Sequence, residues 1–170
     1  MPTDRAHPRT WLLAITTALL LGCGGGADAT PTERLWISSL PTRPSQQFTA
    51  FITTRTTGDK HIGALFRGSM YRGGHDVFEW KATGDTRAHL KFLQDKHEAD
   101  LRIEKCTPTT GFDHCIVIHG DSALAGKYQS RKRWVVRRPG KKSELAEGMV
   151  TQTILDLAED DEDLQALTEL

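Results

Sequence analysis

Cysteine, histidine and serine are the side chains here that can do chemistry, and their spacing narrows what that chemistry is. Cysteines stand at positions 23, 106 and 115. An odd number leaves one thiol unaccounted for in any pairing scheme. Beyond His7, histidines occur at 61, 75, 89, 97, 114 and 119, and no two have the H-x-x-x-H spacing that sets two imidazoles on one helix face for a metal. Cys106, His114, Cys115 and His119 are the ligand types of a zinc or copper site. Neighbouring side chains on a strand point to opposite faces, however, so His114 and Cys115 reach one ion only if the strand bends between them. The chain has no phosphate-binding glycine loop and no dinucleotide fingerprint. Nothing in these patterns argues for a catalytic residue, a metal or a cofactor.

The lone cysteine has a distinctive setting. Leu20, Leu21, Gly22 and Cys23 close an apolar run of 11 residues that begins at Trp11, behind a weakly basic head with Arg5 and Arg9. That is signal-peptide length and too short to cross a bilayer. The four residues resemble the lipobox of bacterial lipoproteins, with Gly22 as the small residue ahead of the cut and Leu20 in the favoured place three before the cysteine. The resemblance implies that Cys23 receives a diacylglyceryl group, becomes the first residue of the mature chain and is acylated on its new amino group, palmitate being one such chain. Buried methylenes contribute about 0.8 kcal/mol each, so two or three chains hold a protein on a membrane where one does so marginally. Gly24 is not the aspartate that retains such proteins in an inner membrane, so the resemblance points to an outer-membrane anchor in the cell envelope. An ordinary secreted protein cut at Ala27, Asp28, Ala29 is the alternative. Lipidation of Cys23 leaves Cys106 and Cys115 as an even pair. In an exported protein the expectation for them is a disulfide, which across so short a loop stabilises by about 2 to 3 kcal/mol.

Two further stretches carry candidate chemistry. Gly120, Asp121 and Ser122 follow the apolar Ile116, Val117 and Ile118, and resemble the strand-then-Gly-Asp-Ser block of the GDSL esterases, whose serine is a nucleophile. That family draws its base from an Asp-x-x-His near the chain end, and no histidine follows His119 here. The segment therefore reads as a turn. The second stretch is charge. Lys127–Lys142 holds eight basic and no acidic residues, and Glu144–Leu170 holds nine acidic and no basic ones. Arg131, Lys132 and Arg133, with Arg137 and Arg138, form a candidate site for an anionic partner such as an envelope protein, lipopolysaccharide phosphate or a wall polymer, since arginine forks match phosphate oxygens. Nucleic acid is not expected outside the cytoplasm. The competing reading is that the basic block faces the acidic segment and the two neutralise each other.

The elements that must position these groups are short. Removing residues 1–22 leaves 148, one domain's worth. Residues 23–32, with three consecutive glycines, read as a flexible tether. Residues 33–142 read as a β domain of about eight short strands separated by turn residues, an antiparallel small barrel or sandwich. Ala99, Leu101 and Ile103 alternate with Asp100, Arg102 and Glu104 in its cleanest half-buried strand. His61–Tyr71 is expected as one strand, Gly73 and Gly74 as the turn after it, and Lys127–Arg138 as the last strand. In residues 143–170, Val150, Ile154, Leu157 and Ala158 fall at helical spacing. Ser143 is the expected cap, and Glu144 and Glu147 the acidic first turn. Five consecutive acids from Glu159 to Asp163 weaken that amphipathic helix and leave an acidic tail. The order of strands then helix is that of lipocalin-like barrels, a likeness of layout alone. Two functions follow: a non-catalytic, lipid-anchored contact module, or a carrier that holds an apolar ligand among residues such as Phe66, Trp80, Phe92 and Trp134.

Overall fold

The fold is a closed antiparallel barrel in which every strand pairs with its neighbours in sequence and the last pairs with the first. A computed structural model describes residues 31, 33–55, 60–120, 122–136 and 149–168, with Arg55 and Lys60 as backbone alone. The expected signal peptide, Cys23, Asp121, Arg137, Arg138, the expected Ser143 cap, Glu144 and Glu147 lie outside the described residues.

The strands are β1 (Arg34–Ile37), β2 (Phe48–Arg55), β3 (Lys60–Gly68), β4 (Gly73–Gly84), β5 (Arg87–Phe92), β6 (Glu98–Lys105), β7 (His114–His119) and β8 (Gly126–Ser130). Short turns join most of them, and the Ile37–Gln129 pairing closes the ring. Side chains alternate across each strand, so one parity fills the lumen. Trp36, Phe51, Leu65, Phe78, Trp80, Leu90, Phe92, Leu101, Ile103, Ile116, Ile118 and Tyr128 form that inner core.

The outer wall is divided. Over β4 to β7 the outward parity is polar: Lys91 pairs with Glu98 at 2.7 Å, His89 with Asp100 at 3.0 Å and His119 with Glu104 at 3.1 Å. Over β1 to β3 it is apolar, and Leu35, Ile37, Ala50, Ile52, Ala64 and Phe66 are buried there under helices α1 (Met149–Ala158) and α2 (Glu162–Thr168). Val150, Ile154, Ala158, Leu164 and Leu167 are the helical side of that second core. Strands β1 to β3 are thus apolar on both faces. The interior is apolar, whereas a lipid-spanning barrel has an apolar belt outside and a polar interior.

Three sequence expectations are corrected. The strand expected to run to Tyr71 ends at Gly68, the turn is Ser69–Arg72, and Gly73 and Gly74 already belong to β4. A Cβ on Gly73 would lie 2.3 Å from the Phe66 ring, so the glycine there makes room for packing. The last strand ends at Ser130 because Arg131 turns away from the ladder; beyond it only Val135 returns, as an isolated bridge to Arg34. The acidic run is not a tail. It stops α1 and starts α2, with Asp161 as the cap: its carboxylate accepts from the Leu164 N–H at 3.3 Å and its carbonyl from the Gln165 N–H at 2.8 Å. Glu162 and Asp163 then occupy the first turn, where a helix favours negative charge.

Candidate functional site

The basic block turns on Arg131. Leaving β8, the chain makes a tight turn closed by the Trp134 N–H to the Arg131 carbonyl at 2.9 Å. That turn sends the Arg131 guanidinium between two rings, 5.5 Å from the centre of Phe112 and 5.3 Å from that of Trp134. Its Nε donates to the Gly111 carbonyl at 2.9 Å, one Nη to Asp161 at 2.7 Å and the other to Asp163. Asp161 also accepts from Arg133 Nε at 2.9 Å and from the Trp134 indole N–H. Its side chain is 1% exposed, against 10% for Arg131. One carboxylate therefore holds two guanidiniums, an indole and a helix N-terminus. The contacts join three segments distant in sequence: the β6–β7 loop, the turn after β8 and the corner between the helices.

Burial alone would push the Asp161 carboxyl up. The hydrogen bonds from Trp134 and Arg131, the Arg131 charge and the Leu164 N–H outweigh it and hold the group below the usual aspartate range. The loop that supplies Gly111 and Phe112 is itself closed by the Cys106–Cys115 disulfide, with Cα atoms 4.9 Å apart. That bond takes both sulfurs out of metal chemistry. Among the described residues no group of three His, Cys, Asp or Glu side chains is placed to hold an ion.

Arg131 and Arg133 thus meet the acidic segment, the second of the two readings of the basic block. Lys132 stays exposed, and its backbone N–H donates to Asp113 at 2.7 Å. Lys127 is likewise exposed on the outer parity of β8. Ser122 sits in a turn: its hydroxyl accepts from the Leu124 N–H at 3.0 Å and its carbonyl from the Ala125 N–H at 2.9 Å. The histidines are scattered, with His75 against Phe66, His97 against Phe92, and His89 and His119 in exposed hydrogen bonds with Asp100 and Glu104. Sequence reasoning did not find Asp161. Its signal was a helix start, an aspartate followed by two acids and then by Leu164 and Leu167 at helical spacing.

Of the residues named as a possible ligand wall, Trp80 and Phe92 line the lumen, whereas Phe66 and Trp134 lie outside it beneath the helices. The lumen rings touch one another. Phe51 meets Tyr128 edge-on at 4.8 Å, Phe78 meets Phe92 at 5.9 Å, and Trp36 stacks on Phe51 at 6.4 Å. Burial pushes the Tyr128 hydroxyl up to about 12, the Arg67 charge opposing weakly. At the end where β1 begins, the Pro31 carbonyl accepts from the Trp36 indole at 3.3 Å and from the Thr53 hydroxyl. Two buried lumen-parity nitrogens, Trp80 Nε1 and His114 Nε2, have no hydrogen-bond partner among the described residues. Burial, and then the Arg34 charge, pushes the His114 imidazole down. No family model, no curated protein and no solved structure matches the chain, so the reading of its function rests on this geometry and on the sequence.

Proposed function

We propose that this protein is a lipid-anchored module of the bacterial cell envelope that works by contact, held at the outer membrane through acylated Cys23. The observation that carries the contact half is the lumen. Its aromatic side chains pack on one another at ring distances of 4.8 to 6.4 Å, which is how a small eight-stranded barrel builds a core. The disulfide and the buried Asp161 clasp support the same reading, because both tie distant segments into one scaffold. The anchor half rests on Leu20, Leu21, Gly22 and Cys23 at the end of the apolar run.

The test is fractionation of cells producing the full chain and its Cys23→Ala variant. The proposal expects the parent in the membrane fraction with acyl mass on its N-terminal peptide and the variant without that mass. Parent protein cut after Ala29 and recovered from the soluble fraction would overturn the anchor. A second reading, a carrier of a small ligand, is favoured by one observation: the Trp80 N–H is fully buried in the lumen and faces no acceptor among the described residues. A ligand oxygen would satisfy it.

A further inference from the structure

The end of the barrel opposite Pro31 carries an exposed aromatic ring and two exposed arginines that have no ion-pair partner among the described residues. Turn Ser69–Arg72, between β3 and β4, is closed by the Ser69 N–H to the Arg72 carbonyl at 2.9 Å. The Met70 N–H then donates to the Pro44 carbonyl at 3.1 Å, which ties this turn to the loop between β1 and β2. That loop is braced in turn, with the Gln46 N–H on the Arg43 carbonyl at 3.0 Å and the Thr42 N–H on the Gln46 side chain at 2.9 Å. Two connections therefore form one firm tip.

Tyr71 stands out from that tip with 72% of its surface exposed, the most of any large hydrophobic residue described. Arg72 follows it in the chain, and Arg43 precedes the Pro44 that Met70 holds; both arginines are exposed and have no ion-pair partner among the described residues. Arg67, one residue before the end of β3, pairs with Asp76 at 3.5 Å and keeps half its side chain exposed. An exposed tyrosine costs little entropy to immobilise, and arginine forks grip carboxylates and phosphates in two-point contacts.

We propose that this tip binds an anionic sugar polymer, with the Tyr71 ring against a sugar face and Arg43 and Arg72 on its carboxylate or phosphate groups. Tyr71 is one ring in a polar rim. That falls far short of the roughly 800 Å² each partner contributes to a stable protein–protein interface, whereas a polymer can bind by repeating a small contact. The proposal deepens the contact-module reading and rests on it for orientation. The chain enters the fold at Pro31, eight residues after Cys23, and eight residues reach at most about 28 Å. The nine residues of β3, tilted about 35 to 45° to the barrel axis, carry the tip roughly 20 Å further along it. An anchored protein would hold its Pro31 end near the bilayer and present the tip away from it.

The experiment is titration of the full-length protein with polygalacturonate, a carboxylated sugar polymer, and with phosphorylated mannan, using uncharged dextran as control. The proposal expects binding to at least one anionic polymer, weaker at high salt. Affinity should fall about tenfold or more in the R43E/R72E double variant, since both charges that would meet the polymer are reversed. It should fall severalfold in Tyr71→Ala and recover in Tyr71→Phe. Since all three positions are exposed, unchanged urea unfolding serves as the folding check. Equal binding of dextran, no binding of either anionic polymer, or full affinity in the double variant would each overturn the proposal. Affinity lost instead in a K127E/K132E variant would also overturn it while leaving an anion-contacting module in place. A failed anchor shows separately in the Cys23 fractionation.

Discussion

Replacing Asp161 by alanine removes a carboxylate that is 1% exposed and leaves behind Arg131, itself only 10% exposed. Two rings hold that guanidinium in place, so it cannot turn out to water without breaking its packing on Phe112 and Trp134. Breaking a buried pair from one side typically destabilises by about 3 to 5 kcal/mol, because the remaining charge is left without compensation. The lost cap of α2 accounts for about 1 kcal/mol of such an effect, and the two are not additive, since one carboxylate serves both. Asp163 still offers Arg131 one bond from an exposed position, which places the expected loss near 3 kcal/mol, the lower end of that range. The assay is urea unfolding of the oxidised protein, followed by tryptophan fluorescence. A double variant, Arg131→Met with Asp161→Leu, should be more stable than Asp161→Ala alone, because removing both charges removes the uncompensated one. A loss below about 1 kcal/mol in Asp161→Ala, or a double variant no better than that single, would refute the reasoning. The pH dependence carries the same sign. The folded pKa of Asp161 lies below its unfolded value of about 3.9, so the carboxylate's contribution is full above that value and is lost as the pH falls through the folded pKa. Asp161→Asn, which keeps the cap, should lose that acid leg of the stability curve.

Three other outcomes follow from the same contacts. Reduction, or Cys106→Ser with Cys115→Ser, opens a closure nine residues in span and should cost about 2 to 3 kcal/mol; its effect should be less than additive with Asp161→Ala, because the loop supplies Gly111 to Arg131. Gly63→Ala would put a Cβ 2.3 Å from the Phe78 ring and 2.7 Å from the Ile52 carbonyl, and overpacking of that kind lowers stability by about 1 to 3 kcal/mol, read in the same unfolding assay. His114 is pushed down by burial and by Arg34, with Asp113 opposing and Lys132 adding to the shift. Its neutral form therefore stabilises the fold above about pH 6.5, and that contribution fades as the pH drops through the folded pKa. His114→Leu should flatten the slope with which stability falls as the pH drops below about 6.5.

Most of the barrel was legible because its strands alternate. β6 is buried at Ala99, Leu101 and Ile103 and exposed between them, as its sequence pattern requires. What periodicity does not carry is whether the sheet closes, since that depends on one long-range pairing between Ile37 and Gln129. Nor does it carry which strands are covered twice. Leu35, Ile52 and Phe66 share strands with lumen residues, and only the helices docked over them explain why both parities are apolar. The end of β8 was misplaced for a related reason: Trp134 and Val136 continue a plausible strand parity, but Arg131 is drawn off the ladder by a carboxylate 30 residues later. Asp161 itself was hidden among five consecutive acids, where charge counting suggests a solvated run and only capping geometry singles out the buried one. The tip at Tyr71 was hidden because its tyrosine was placed in a strand.

The proposed function requires a lumen packed with the protein's own side chains and an acylated Cys23. Native mass spectrometry of the full-length protein, released gently from its own membrane, measures both at once. The account predicts the mature chain from Cys23 plus acyl mass and nothing more, with the lumen occupied by its own side chains. A further discrete mass, retained after the acylated N-terminal peptide is removed, would contradict it and move the carrier reading to the front.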